Sequence, residues 1–360
     1  MITRARIATT GQGGLMTDQI AERDGSPAHV STGQLPTPDE ARRLIEAAYE
    51  RYRGVRDGTV ASYIPALASV SPDLFGLSVV AANGNVHSVG DALCPFTIQS
   101  ISKAFVFALV LEAIGADEAR RRLGVNSTGL PFNSVMAIEL SPQQTTNPMV
   151  NSGAIATTSL IPGDTTEAKW DAVRAGLSAF AGRELVVDEA VYESELAANG
   201  RNDGIAHLMH SYERLWFDPD EATDVYTRQC SLLVTAHDLA AMGATLANGG
   251  VNPLTGARVI AADHCRRVLA VMMTCGLYEQ SGDWLYDIGL PGKSGVGGGI
   301  VTVSPGKGGL GTFSPPLDAA GNSVRGRLAT AELSRQLGLN LLMSVPMVGD
   351  GPVGVTAPVG

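Results

Sequence analysis

Lysine is nearly absent from this chain: only Lys103, Lys169, Lys293 and Lys307 occur among 26 basic residues in a sequence of 360. With 36 acidic residues the net charge is −10, so a surface of this sign repels nucleic-acid phosphate and anionic lipid. Cysteine is equally sparse. Cys94, Cys230, Cys265 and Cys275 form no CxxC pair, and at this density they read as buried small hydrophobes in a reducing compartment, not as a disulfide framework. Long apolar runs are missing too. The run from Ala104 stops at Glu112, well short of the roughly 18 residues a membrane span needs. The N-terminus lacks the apolar core and cleavage site of a secretory signal, so the cytoplasm is the expected location.

What is present describes a globular chain. Hydrophobic residues make up 44% and charged residues 17%, and the length suggests about two domains. Residues 1–36 read as a flexible leader, with Met16 as an alternative start, and residues 346–360 as a flexible Pro/Gly/Val tail. Thr37-Pro38-Asp39-Glu40 is a helix start, and the helix after it places Leu44, Ala48 and Tyr52 on one face. Leu77 to Ala82, Asn83-Gly84, then Asn85 to Val89 is a hairpin with a two-residue type I′ turn.

From Ser100 the period becomes helical, with further helices expected over 167–181, 203–217 and 231–249. Strands return near 287–290, 299–304 and 310–314. The order predicts a discontinuous α/β domain, 37–99 plus 223–345, around a mainly helical domain, 100–222.

Two of the four lysines fall in paired motifs. Ser100-Ile101-Ser102-Lys103 is an S-x-x-K at a helix start, and residues three apart share a face. A hydroxyl beside an amine becomes a nucleophile with its base if burial or a second cation lowers the amine's pKa. Ser102, adjacent to Lys103, does not share that face. Gly292 to Ile300 contains Lys293-Ser294-Gly295 in a glycine-dense loop. It is not a P-loop, because Asp287 stands where the first glycine belongs. A K-[ST]-G edge strand facing an S-x-x-K helix is the arrangement of penicillin-recognising serine enzymes. His207-x-x-His210 has metal-like spacing but no third ligand, and no cofactor motif is found.

Six further stretches join these: NPMVNSGAI from Asn147, YESELAANGRN from Tyr192, DVYTRQCS from Asp224, TCGLYEQSGDW from Thr274, the run from Gly292 to Gly326, and TVASYIPALASVSPDLFGLSV from Thr59. Together with QSISK they resemble, in order, the serine-dependent glutaminase family, over about three quarters of the chain. The resemblance implies a β-lactamase-like α+β fold of the DD-peptidase type: an antiparallel sheet flanked by helices, plus an all-α domain. It implies hydrolysis of L-glutamine to L-glutamate and ammonia, with Ser100 as nucleophile and Lys103 as base. The substrate contacts it implies fall on Asn151, Glu195, Asn202, Tyr226, Tyr278, the backbone of Val296, and Tyr63. Glu195 would meet the α-ammonium; Asn151, Asn202 and Tyr63 the α-carboxylate; either Tyr226 or Tyr278 would pass a proton to ammonia. A homodimer or homotetramer is implied, with no cofactor, metal, nucleic acid or membrane partner. The competing readings are a penicillin-recognising hydrolase, for which the zwitterion-reading set has no use, and a non-catalytic amino-acid sensor, for which the Ser–Lys pair has none.

Overall fold

In the computed structural model, which describes residues 36–62 and 64–343, the chain opens on the helix that Thr37 caps. The Glu40 N–H donates to Thr37 Oγ1 at 3.3 Å, and Pro38 starts the first turn of α1 (Pro38–Tyr52). Its buried stripe centres on Ile45 and Ala48, with Leu44 and Tyr52 half-buried beside them. The hairpin follows as β1 (Gly76–Ala81) and β2 (Val86–Gly90). Its turn is not type I′. Gly84, at φ 86°, is left-handed while Asn83 is not, so residues 82–84 form a type I turn closed by a left-handed glycine.

A short ribbon, β3 (Phe96–Thr97) with β4 (Leu233–Val234), brackets the helical segment between them. That segment holds α2 (Ser102–Ile114), α3 (Asn151–Ser159), α4 (Thr166–Ala181), α5 (Glu189–Leu196), α6 (Gly200–Ser211) and α7 (Pro219–Cys230). The helix expected over 203–217 is α6, which begins earlier and ends at Ser211. Glu213 turns left-handed there, at φ 57°, and Arg214 N–H bonds back to Met209 O at 2.8 Å. After β4 come α8 (Ala236–Ala247), α9 (Ala262–Cys275) and α10 (Ser281–Ile288). The strand expected over 287–290 is the end of α10 instead, because Gly289 closes that helix with its N–H on Leu285 O at 3.0 Å. Strands β5 (Gly292–Gly295), β6 (Gly299–Ser304), β7 (Gly308–Phe313) and helix α11 (Val324–Gln336) complete the described chain.

The five longer strands form one antiparallel sheet in the order β2-β1-β7-β6-β5, which leaves the K-S-G strand at an edge. Helix α8 lies directly on one face. A Cβ at Gly311 would meet Ala236 O at 2.0 Å, so glycine in β7 is what permits that approach. On the other face α1, α10 and α11 cover Leu77, Ile300 and Leu310. The sequence pattern did not show α11, because its buried side carries Arg325, Thr330, Glu332 and Ser334. Arg325 is fully enclosed. Its Nε donates to Ser314 Oγ at 2.7 Å, its remaining nitrogens to backbone carbonyls that include Leu74 O at 3.0 Å, and it stacks over Phe75.

Helix α2 is buried almost all round, with Phe105, Val110 and Leu111 in the larger core. Each such side chain contributes about 1.5–3 kcal/mol by leaving water. Among the described residues no single helix is long and apolar enough to cross a membrane. All four cysteines are free, and Cys94 is only partly buried, where the sequence suggested burial for all.

Candidate active site

The chain leaves β3 through a 3₁₀ turn, Gln99–Ile101, and enters α2 at Ser102. The S-x-x-K therefore straddles a turn and a helix instead of lying wholly on the helix. Gln99 is left-handed at φ 52°, a conformation that costs a non-glycine residue on the order of 1–3 kcal/mol. Its side chain holds it there: Nε2 donates to Thr97 Oγ1 at 3.2 Å and to Glu195 Oε1 at 2.5 Å. Ser100 lies at the bottom of this turn, 9% exposed. The neighbouring hydroxyl is otherwise engaged. Ser102 Oγ donates to Gln99 O at 2.8 Å and accepts from Gln229 Nε2 at 3.3 Å.

Lys103 is 1% exposed, and burial pushes its amine down to about 8, against a smaller pull upward from Cys230 and Glu195. In this state Nζ donates to Asn151 Oδ1 at 2.6 Å, with the Phe132 and Tyr226 rings about it at 6.0 and 5.7 Å. Asn151 begins α3, and an amide ladder runs outward from it. Asn151 Nδ2 donates to Asn202 Oδ1 at 3.0 Å, Asn202 Nδ2 to Asn199 Oδ1 at 2.8 Å, and Asn199 Nδ2 to Thr227 Oγ1 at 3.2 Å. Tyr226, buried on α7, donates to the same Asn151 Oδ1 at 3.3 Å.

Glu195 stands in the last turn of α5. Burial pushes its carboxyl up to about 7, while the Gln99 hydrogen bond and the Lys103 charge hold it from rising further. Lys293 on β5 is fully buried, and burial together with the Lys103 charge drives its amine well below the usual lysine range. Its Nζ donates to Ser294 O at 2.7 Å and sits 4.7 Å over the Tyr278 ring. Tyr278 directs its hydroxyl at Ser294 O, 3.4 Å away, and packs against Phe132.

Val296 follows β5 in the glycine-dense loop. That loop lies against the turn bearing Ser100, since a Cβ at Gly297 would meet Thr97 O at 2.6 Å and one at Gly295 would meet Ile98 O at 2.9 Å. Its far side is pinned by Ser314, whose N–H donates to Gly298 O at 2.9 Å and whose Oγ accepts from Arg325. Gly297→Ala should therefore shift the loop away from Thr97 O. We expect kcat to fall at least tenfold, because this loop carries the Val296 backbone that the resemblance sets against the substrate, while the melting temperature moves little. Unchanged kcat in the purified variant would disconnect this loop from the chemistry.

Of the residues singled out in the sequence, Ser100, Lys103, Asn151, Glu195, Asn202, Tyr226, Tyr278 and Val296 belong to these linked elements, and Tyr63 lies outside the described residues. His207 and His210 are exposed on α6, and no cluster of three metal-ligating side chains occurs among the described residues. Gln99, Asn199 and Phe132 escaped the sequence reading. Only its place next to Ser100 marked Gln99, and nothing in a glutamine says it will reach a carboxylate 96 positions away.

Comparison with known proteins decides the family. The glutaminase family model matches residues 58–342. The chain belongs to the glutaminase family. It is 60% identical over 318 residues to Glutaminase 2 of Yersinia pestis, covering 88% of this chain and 94% of that one. It is 52% identical over 301 residues to a glutaminase of Brucella canis, covering 82% and 95%. Among solved structures it is similar to the probable glutaminase ybaS, with a TM-score of 0.84 at 46% identity, covering 85% of this chain and 99% of that one. It is also similar to a probable glutaminase from Bacillus subtilis complexed with 6-diazo-5-oxo-L-norleucine, with a TM-score of 0.74 at 27% identity and coverages of 88% and 99%. The fold is accordingly the glutaminase form of the β-lactamase-like architecture, and the protein is a glutamine amidohydrolase.

Proposed function

We propose that this glutaminase works through a γ-glutamyl ester on Ser100, with Lys103 as the base. The neutral Lys103 amine takes the Ser100 hydroxyl proton as Oγ bonds to the side-chain amide carbon. The N–H groups of Ser100 and Val296 hold the oxyanion. As the C–N bond breaks, the proton passes to the departing ammonia. We assign that transfer to Tyr226, which shares Asn151 Oδ1 with Lys103. Water then attacks the ester, its proton returns through Lys103 to Ser100 Oγ, and glutamate leaves. Glu195 receives the α-ammonium; Asn151, Asn202 and Tyr63 receive the α-carboxylate. The observation that carries this reading is a buried amine near 8 one turn from Ser100, within reach of a carboxylate and an amide ladder suited to an amino acid's two charges.

The pH profile tests it. Lys103 must be neutral and Glu195 ionised, and both conditions improve with rising pH, through about 8 and about 7 respectively. A bound ammonium stabilises ionised Glu195, so kcat should show only the lysine limb, while kcat/KM falls more steeply below neutrality. A kcat/KM maximum below about pH 6 would contradict the Ser–Lys assignment. From the free cysteines and the resemblance we further propose a cytoplasmic homodimer or homotetramer, and a helical domain over 100–222 set into a discontinuous α/β domain.

A further inference from the structure

Glu195 is carried by a helix only eight residues long, so its position depends on what grips α5. Two anchors are internal. Gln99 holds the carboxylate itself, and Val191 packs with Ile64, Val296 and Leu317. The third anchor joins α5 to α7. Tyr192, one turn before Glu195, donates its hydroxyl to Asp224 Oδ1 on α7. Asp224 Oδ2 pairs with Arg228 Nε at 2.9 Å, and the Arg228 guanidinium stacks 5.6 Å over the Tyr192 ring. Each member thus touches the other two, which closes a triangle between the helix that carries Glu195 and the helix that carries Tyr226. The pair is not a freely solvated one, since Asp224 is 19% and Arg228 31% exposed. An isolated surface pair adds little, whereas a partly sheltered one with a third partner constrains geometry.

We propose that the Tyr192–Asp224–Arg228 triangle sets the distance of Glu195 from the rest of the pocket and so governs recognition of the substrate's α-ammonium. This rests on the reading of Glu195 given above. The three are positioning residues: they act on glutamine only through the carboxylate they place. Their sequence positions fit the role. Asp224 and Arg228 are one turn apart on α7 and flank Tyr226, while Tyr192 shares a face with Glu195 on α5.

The test is ammonia release by Tyr192→Phe, Asp224→Ala and their double variant, each made in wild type and in Glu195→Gln. In the wild-type background each single change should raise KM about three- to tenfold, the range of a lost hydrogen bond, with kcat within about twofold. The double variant should be no worse than the worse single one, because both break the same contact. In the Glu195→Gln background the same changes should leave KM unmoved. Tyr192→Phe removes a single oxygen and keeps the test available if Asp224→Ala does not fold. Unchanged KM, a fall confined to kcat, or an equal rise in KM in both backgrounds overturns the proposal. If Glu195→Gln by itself leaves the KM for glutamine unchanged, it is the underlying reading of Glu195 that fails.

Discussion

Ser100→Ala and Lys103→Ala are each expected to lower kcat by about four to six orders of magnitude, and the double variant should be little worse than either alone. In the proposed mechanism the two act as one unit: a serine without its base is a poor nucleophile, and the base without the serine has nothing to deprotonate. Ser102→Ala should stay within about tenfold of wild type. Its hydroxyl is fully buried, donates to Gln99 O at 2.8 Å and is engaged by Gln229, so it supports the turn. Losing that bond costs about 0.5–1.5 kcal/mol of stability, which a melting curve will register. A loss in Ser102→Ala comparable to that in Ser100→Ala would show that the attacking oxygen had been misassigned.

Glu195→Gln is expected to lower kcat/KM for glutamine between tenfold and several hundredfold, the worth of a charge-assisted contact of about 1.5–3 kcal/mol or somewhat more when buried. On the proposed assignment the carboxylate pairs with a charge remote from the bond that breaks, so most of the loss should appear in KM, and some in kcat through poorer placement of the amide. A glutamine derivative acylated on its α-amine gives the control. It should be a poor substrate for wild type and should lose much less than glutamine when Glu195 is replaced. Equal losses for the two substrates would remove Glu195 from the ammonium's side. Burial raises the Glu195 carboxyl to about 7, with the Gln99 hydrogen bond and the Lys103 charge opposing the rise.

The sequence disclosed those parts of the molecule whose signals are local. Thr37 announced α1, β6 stood where a strand was expected, and β7 overlaps the strand expected over 310–314 but begins at Gly308. Helix α11 was hidden because Arg325 and Glu332 occupy its buried side, where a hydropathy pattern expects leucine. The strand expected at 287–290 failed because Ile288 and Leu290 are core residues on either side of a helix stop. At the site, spacing offered Ser100 and Lys103 as a candidate pair, and it was the resemblance that gave them roles. Gln99 was not, since its role depends on a left-handed backbone and on a carboxylate delivered by α5. Arg228 was hidden for the same reason: its partners come from two helices, and its local surroundings read as an ordinary polar face.

The claim at the centre of this account is the ester on Ser100, and trapping it is the most direct test. Wild-type enzyme turning over glutamine would be quenched in acid, digested, and its peptides weighed. The account predicts one γ-glutamyl group on the peptide containing Ser100, bound to that hydroxyl, and none on the same peptide from Ser100→Ala. A γ-glutamyl group on any other side chain, or sustained ammonia release by Ser100→Ala, would contradict it.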